Sequence, residues 1–296
     1  MADPRRPSHR AADGVRAGAR RGRGAVSGGE GRIVVFVGPT LGGAETLRLC
    51  PSAVVRPPAE RGDVLRAVLG GAQVIGLVDG YFERRLAVQH KEILWALAQG
   101  VRVYGAASMG ALRAAEMDCF GMIGVGAVYQ GFASGLFERD DEVAIAHGPG
   151  PDYRAASEAL VNIRASISYA VSREVLSTDV AGALLATAQR LFYPDRTLER
   201  VVLETDLCDR QREELLCWFK TRDNRVNQKR RDAEELLALL HASGDAELSV
   251  PSVEYELPWT AAFEELWREV QGESDGPLEL EQVESAHGGA PRILDL

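Results

Sequence analysis

Ser108 stands in the string Ala106-Ala107-Ser108-Met109-Gly110, between the apolar run VRVYGA (101–106) and the helix-compatible run ALRAAEM (111–117). The string departs from the G-x-S-x-G nucleophile elbow only in its first residue. Its small residues permit a sharp strand-to-helix turn. Such a turn would lift the hydroxyl above a sheet and leave the N–H groups of Met109 and Gly110 free to stabilise an oxyanion at a helix N-terminus. The same position suits a helix N-cap, a role in which Ser is strongly favoured, so the string alone leaves both readings open.

A nucleophilic Ser needs a base. His90 and His147 are the histidines within the ordered part of the pattern, and a Ser-His-Asp arrangement with His147 and Asp79 is conceivable. The other candidate is Lys91. Of the 34 Lys and Arg residues only Lys91, Lys220 and Lys229 are lysines. A lysine amine works as a base only when burial or a nearby cation lowers its pKa, and arginine cannot replace it. Lys91 reaches the Ser108 edge only if its helix starts near Gln89. A start at Phe82 would put it about 13 Å down the helix, at ~1.5 Å per residue. Its ordinary role would be a solvated helix residue paired with a glutamate. Asp79 and Gly80 close the run VIGLVDG (74–80), and Thr40 closes the first strand, so all three should lie at the same sheet edge as Ser108. Gly80 adds a further oxyanion donor, while Asp79 and Thr40 are candidate substrate contacts. The consecutive acids Asp140, Asp141 and Glu142 read as a solvated turn, so no metal site is expected. Glu158 and Asn162 share one helix face, which would line a cleft or satisfy internal polar contacts. GPTLGG (38–43) has neither the spacing nor the Lys-Ser/Thr pair of a phosphate loop, and no cofactor is expected.

The elements that must hold these residues are strands alternating with helices. IVVFVG (33–38), PSAVVRPP (51–58), VIGLVDG (74–80) and VRVYGA (101–106) read as strands, with helices over 61–69, 90–100 and 111–117. That order predicts an α/β fold: a mostly parallel sheet covered by helices, followed by a helical C-terminal region. Four units are expected. Residues 1–31, rich in Arg, Gly and Ala, read as a disordered arm; 32–172 form the α/β core; 173–271 are a helical region; and 272–296 are a mobile acidic tail. The glycine-rich 121–135 segment reads as a loop or lid rather than packed regular structure. A net charge of −9 argues against nucleic acid as a partner. The first thirty residues have no apolar stretch of the secretory kind, and no run suits a membrane helix. Four scattered cysteines without a C-x-x-C pair read as reduced thiols, which points to the cytoplasm.

VFVGPTL (35–41), IGLVDGYFE (75–83), HKEILWAL (90–97), GAASMGALRAAEMDCFGMIGVG (105–126), DDEVAIAH (140–147) and SEALVNIRA (157–165) together resemble the TfuA-like family. The resemblance covers about residues 33–170 and is most specific over Asp79–Gly126. It implies association with a YcaO-type enzyme that thioamidates peptide backbones, as in RiPP biosynthesis. It also implies hydrolysis of the C-terminal thiocarboxylate of a ThiS-type sulfur carrier, with the precursor peptide as a further partner. A Ser–Lys dyad is implied as the hydrolytic centre, and it falls on Ser108 and Lys91. The alternative is a non-enzymatic adaptor that docks YcaO to its peptide or carrier, with Ser108 a helix cap.

Overall fold

The computed structural model describes residues 15–16, 33–81, 85–150, 152–243 and 256–272. Its strands are β1 (Val15–Arg16), β2 (Ile33–Phe36), β3 (Ala53–Arg56), β4 (Val74–Leu77), β5 (Arg102–Ala106), β6 (Ile123–Val125) and β7 (Glu256–Leu257). β2 to β6 build one five-stranded sheet in the order β3-β2-β4-β5-β6, with every pairing parallel. The central strands β2 and β4 are buried throughout, as a sheet covered on both faces requires. α1 (Gly43–Leu49), α2 (Asp63–Leu69), α3 (His90–Ala98), α4 (Met109–Met117) and α5 (Gly126–Ala133) alternate with the strands. The helical region comprises α6 (Leu160–Ser172), α7 (Thr178–Arg190), α8 (Leu198–Glu204), α9 (Asp209–Lys220), α10 (Gln228–Ser243) and α11 (Ala261–Gln271).

The two sheet faces follow from strict alternation along the strands. Val34, Phe36, Ile75, Leu77 and Val103 pack with residues of α2, α3 and α4. Ile33, Val35, Val74, Tyr104 and Ala106 meet Ala233, Leu236, Leu237 and Leu240 of α10 on the other face. Gly76 keeps that face close, since a Cβ there would lie 3.0 Å from Leu240 Cδ1. The α/β unit read over 32–172 therefore takes one of its covering layers from the segment read as a separate helical region. α6 to α9 form their own core around Leu160, Ile163, Leu184, Val201 and Phe219.

Two expectations change. The glycine-rich 121–135 segment is not a loop: it holds β6 and α5. Its glycines serve turns and close packing. Gly121 and Gly126 have φ of 99° and 90°, and a Cβ on Gly124 would lie 2.1 Å from the Tyr129 ring. Within the arm, Val15–Arg16 pairs antiparallel with Glu256–Leu257, so this part is a strand, not disordered chain. The rest of the arm and the tail beyond Gly272 lie outside the described residues.

Buried Glu92 fixes where α3 begins. Its carboxylate accepts hydrogen bonds from Gln89 N at 2.7 Å and from Gly62 N and Val64 N at 3.1 Å, tying the starts of α2 and α3 together. Burial pushes this carboxyl up to about 7 despite those amides.

Candidate functional site

β5 ends in a γ-turn. Ser108 N donates to Ala106 O at 2.7 Å across Ala107, which has φ of +67°. A non-glycine residue in this region is strained, and the strain sits immediately before the candidate nucleophile. Ser108 occupies the N-cap position of α4 with φ −126° and ψ −126°, yet its side chain makes no capping bond. Among the described residues no group engages its hydroxyl. The strongest ordinary use for a serine at this position is therefore not made.

The oxyanion donors differ from the sequence reading. Gly110 N is spent, donating to Val78 O at 3.2 Å. Gly110 has a packing role: a Cβ there would lie 1.7 Å from Leu77 O, and one on Gly105 would lie 2.1 Å from Gly110 O. Only backbone against backbone lets α4 start on β4 and β5. Gly110→Ala should accordingly exceed ordinary overpacking and cost at least about 3 kcal/mol, lowering the melting temperature by roughly 6–12 °C. A calorimetric shift under 2 °C would show that α4 can retreat from the sheet. Among the described residues, the amides of Met109 and Gly80 have no acceptor and remain as donors at this edge.

Asp79 is buried two residues beyond β4. Its Oδ2 accepts from Gly38 N at 2.8 Å and Thr40 N at 3.0 Å, and its Oδ1 accepts from Thr40 Oγ1 at 2.6 Å. Asp79 and Thr40 thus hold one another and the 38–40 turn, instead of presenting free groups as substrate contacts. Tyr153 lies against this turn: a Cβ on Gly38 would be 3.3 Å from its Cδ2. Burial, together with its bond to Tyr81, pushes the Tyr153 phenol up to about 12.

Lys91 meets the condition set by the sequence, because Gln89 is the N-cap of α3. Its neighbours nevertheless join the second half of α4. Val88 O accepts from Arg113 Nε at 3.1 Å, and His90 Nε2 lies 2.8 Å from Glu116 Oε2. Glu116 is eight residues past Ser108, about 12 Å along a helix at ~1.5 Å per residue. The Lys91 amine itself donates to Pro258 O at 3.0 Å and Thr260 Oγ1 at 2.8 Å, fastening the segment before α11. No hydrogen bond joins it to Ser108 among the described residues. His147 sits edge-on to Tyr153, with Nδ1 2.8 Å from Gly148 O, which leaves Nε2 as its available nitrogen.

A second lysine, noted in the sequence only for its rarity, lies toward the same edge, without a hydrogen bond to Ser108 among the described residues. Lys229, in the first turn of α10, is 3% exposed, and its Nζ donates to Val143 O at 3.0 Å. Its surroundings place it at the carboxyl edge of the sheet. Arg230 Nη2 reaches Glu45 Oε1 in the first turn of α1 at 3.0 Å, and Asp232 Oδ2 accepts from Val128 N in the first turn of α5 at 2.7 Å. The start of α10 thus bridges the helices that follow β2 and β6, above β4 and β5. Val143 belongs to the same buried cluster as Ala111, which is three residues past Ser108. Burial lowers the Lys229 pKa and the Asp79 charge opposes that shift. Asn162, read as lining a cleft or satisfying internal polar contacts, does the latter: its Oδ1 accepts from Lys229 N at 3.1 Å and anchors this turn. Rarity of lysine was the one sequence signal that could have found Lys229; nothing local marked it, because its burial depends on α10 returning to the sheet. Among the described residues no cluster of His, Cys, Asp and Glu could hold a metal ion.

Fold and site together define an α/β protein whose polar residues gather at the carboxyl edge of a parallel sheet, around an uncommitted serine. The TfuA-like protein family model matches residues 79–197, and this supports placing the chain among TfuA-like proteins. The match contains Ser108, Lys91, His147 and Asn162 and ends before Lys229. No curated protein matches the chain. Among the described residues no helix is long and apolar enough to cross a membrane.

Proposed function

We propose that the protein is a hydrolase that releases sulfide from the C-terminal thiocarboxylate of a ThiS-type carrier for a YcaO-type enzyme, with Ser108 as nucleophile and Lys229 as base. What supports this reading is the presence, at one sheet edge, of a serine hydroxyl spared from capping and a buried lysine whose amine is bonded only to Val143 O among the described residues. Neutral Lys229 takes the Ser108 proton as Oγ attacks the carbonyl carbon, and the oxyanion is met by the amides of Met109 and Gly80. The protonated amine returns that proton to sulfur as the C–S bond breaks, so HS⁻ leaves and an acyl ester remains. Lys229 then takes a proton from water; the hydroxide attacks the ester, the proton passes to Ser108 Oγ as the C–O bond breaks, and the carboxylic acid of the carrier gives its remaining proton to solvent and departs as a carboxylate. The reaction needs no oxidant or cofactor. The adaptor alternative assigns the Ser108 hydroxyl to capping, and α4 begins without that bond. The YcaO-type enzyme and the precursor peptide stand as proposed partners alongside the carrier.

The test combines a fluorophosphonate probe with sulfide release. Labelling confined to Ser108, with release from thiocarboxylated carrier well above the turnover of simple esters, is the expected result. An unlabelled Ser108 in folded protein would leave only the adaptor role. Labelling with ester turnover but no sulfide would keep the dyad and reject the substrate.

A further inference from the structure

The turn that supplies the acceptor for Lys229 is gripped on two consecutive residues. Arg196, fully buried, donates through Nη1 to Asp141 O at 2.9 Å and through Nη2 to Asp141 Oδ2 at 2.8 Å, while Ala188 O and Leu191 O take its remaining bonds at 3.0 Å. Arg164 clamps buried Glu142 with two bonds, Nε to Oε2 at 2.9 Å and Nη2 to Oε1 at 2.7 Å. The next carbonyl is that of Val143, which holds the Lys229 amine. Two largely buried ion pairs add little net stability in general, because desolvation offsets their attraction. What they do supply is a fixed geometry, and here it is delivered to the one carbonyl that orients the amine. An ammonium has three donor sites and a neutral amine two, so one bond to Val143 leaves the group able to meet Ser108.

We propose that the Glu142–Arg164 pair is a positioning element for the reaction, holding the 140–143 turn so that the Val143 carbonyl fixes the Lys229 amine toward Ser108. The inference rests on the Ser108–Lys229 reading. The charged groups around the amine are few. Asp79 acts on it from beyond β4 and Asp232 lies one turn along α10, committed to the start of α5. Glu142 itself adjoins Val143 and is committed to Arg164.

Glu142→Gln and Arg164→Lys, made in the full chain, test this by sulfide release from thiocarboxylated carrier across pH. Freeing the turn admits water to the amine, which relieves its desolvation. The expected result is a roughly tenfold fall in kcat at neutral pH, KM within twofold, and a pH midpoint moved upward, so that the rate recovers in alkali. A fall in kcat with an unmoved midpoint would reduce the pair to a structural role and overturn the inference, as would a wild-type profile. Should Glu142→Gln melt below the assay temperature, Arg164→Lys carries the test, because it keeps the charge and loses one of the two bonds. Lys229→Met separates the layers. If it stays active, the Ser108–Lys229 reading fails and this inference with it. If it is inactive while Glu142→Gln is unshifted, only the positioning role falls.

Discussion

Ser108→Ala should lose at least about 10³-fold in sulfide release, roughly 4 kcal/mol of transition-state stabilisation, while its melting temperature stays within about 2 °C of wild type. The separation of the two readouts comes from the geometry of the turn. An N-cap serine that bonds to the helix is worth about 1 kcal/mol, but Ser108 makes no such bond, so alanine removes little from the folded state. The strained φ of Ala107 and the backbone contact of Gly110 are untouched by the change. Sulfide quantified from thiocarboxylated carrier, with circular dichroism as the fold check, reads both. A folded alanine variant that keeps its rate would remove Ser108 from the chemistry and leave its uncapped turn without a purpose.

The edge that carries Ser108 was legible in the chain because its signals are local. Apolar runs ending in small or turn residues, alternating with helical periods, are enough to order β2, β4 and β5 and to bring Asp79, Thr40 and Ser108 to one side. The roles within that edge were less accessible. Gly110 looked like an oxyanion donor, and only the contact with Leu77 O reveals it as a packing glycine. The 121–135 segment looked like loop because glycine is read as flexibility, whereas Gly124 makes room for the Tyr129 ring beside β6. Asp79 and Thr40 proved to be each other's hydrogen-bond partners across a separation of 39 residues. Lys229 was hidden for a different reason. Its distance in sequence from Ser108 exceeds 100 residues, and the stretch QKRRDAEE around it reads as a solvated charge run. Burial of one residue in that run follows from a tertiary event, the return of α10 to cover the sheet.

Lys229→Met should be inactive to within a thousandth of the wild-type rate and melt no lower than wild type, whereas Lys91→Arg should keep at least half the rate. Methionine matches the volume of the lysine stem without a charge to desolvate, so the buried amine's cost disappears, partly offset by the unmet Val143 carbonyl. Arginine at 91 retains a cation and donors for Pro258 O and Thr260 Oγ1, which is all that position supplies. The pH dependence follows from the lowered Lys229 pKa. The neutral amine is the working form, so the rate should rise with pH through a midpoint below the ordinary lysine value of 10.5. Folding carries the same sign. Unfolded chain binds the proton more tightly, so wild-type stability is greatest above the ordinary value and falls as pH drops through the window down to the lowered one. The methionine variant should lack that fall. Steady-state rates across pH and urea melts at two pH values measure both consequences on the same proteins. If Lys229→Met retains more than about a tenth of the rate, a loss under ~1.4 kcal/mol, Lys229 is not the base. An inactive Lys91→Arg beside an active Lys229→Met would return the base to Lys91. Full rates in both would pass it to His147, whose Nε2 faces no described acceptor, with His90 behind it because Glu116 already holds its ring.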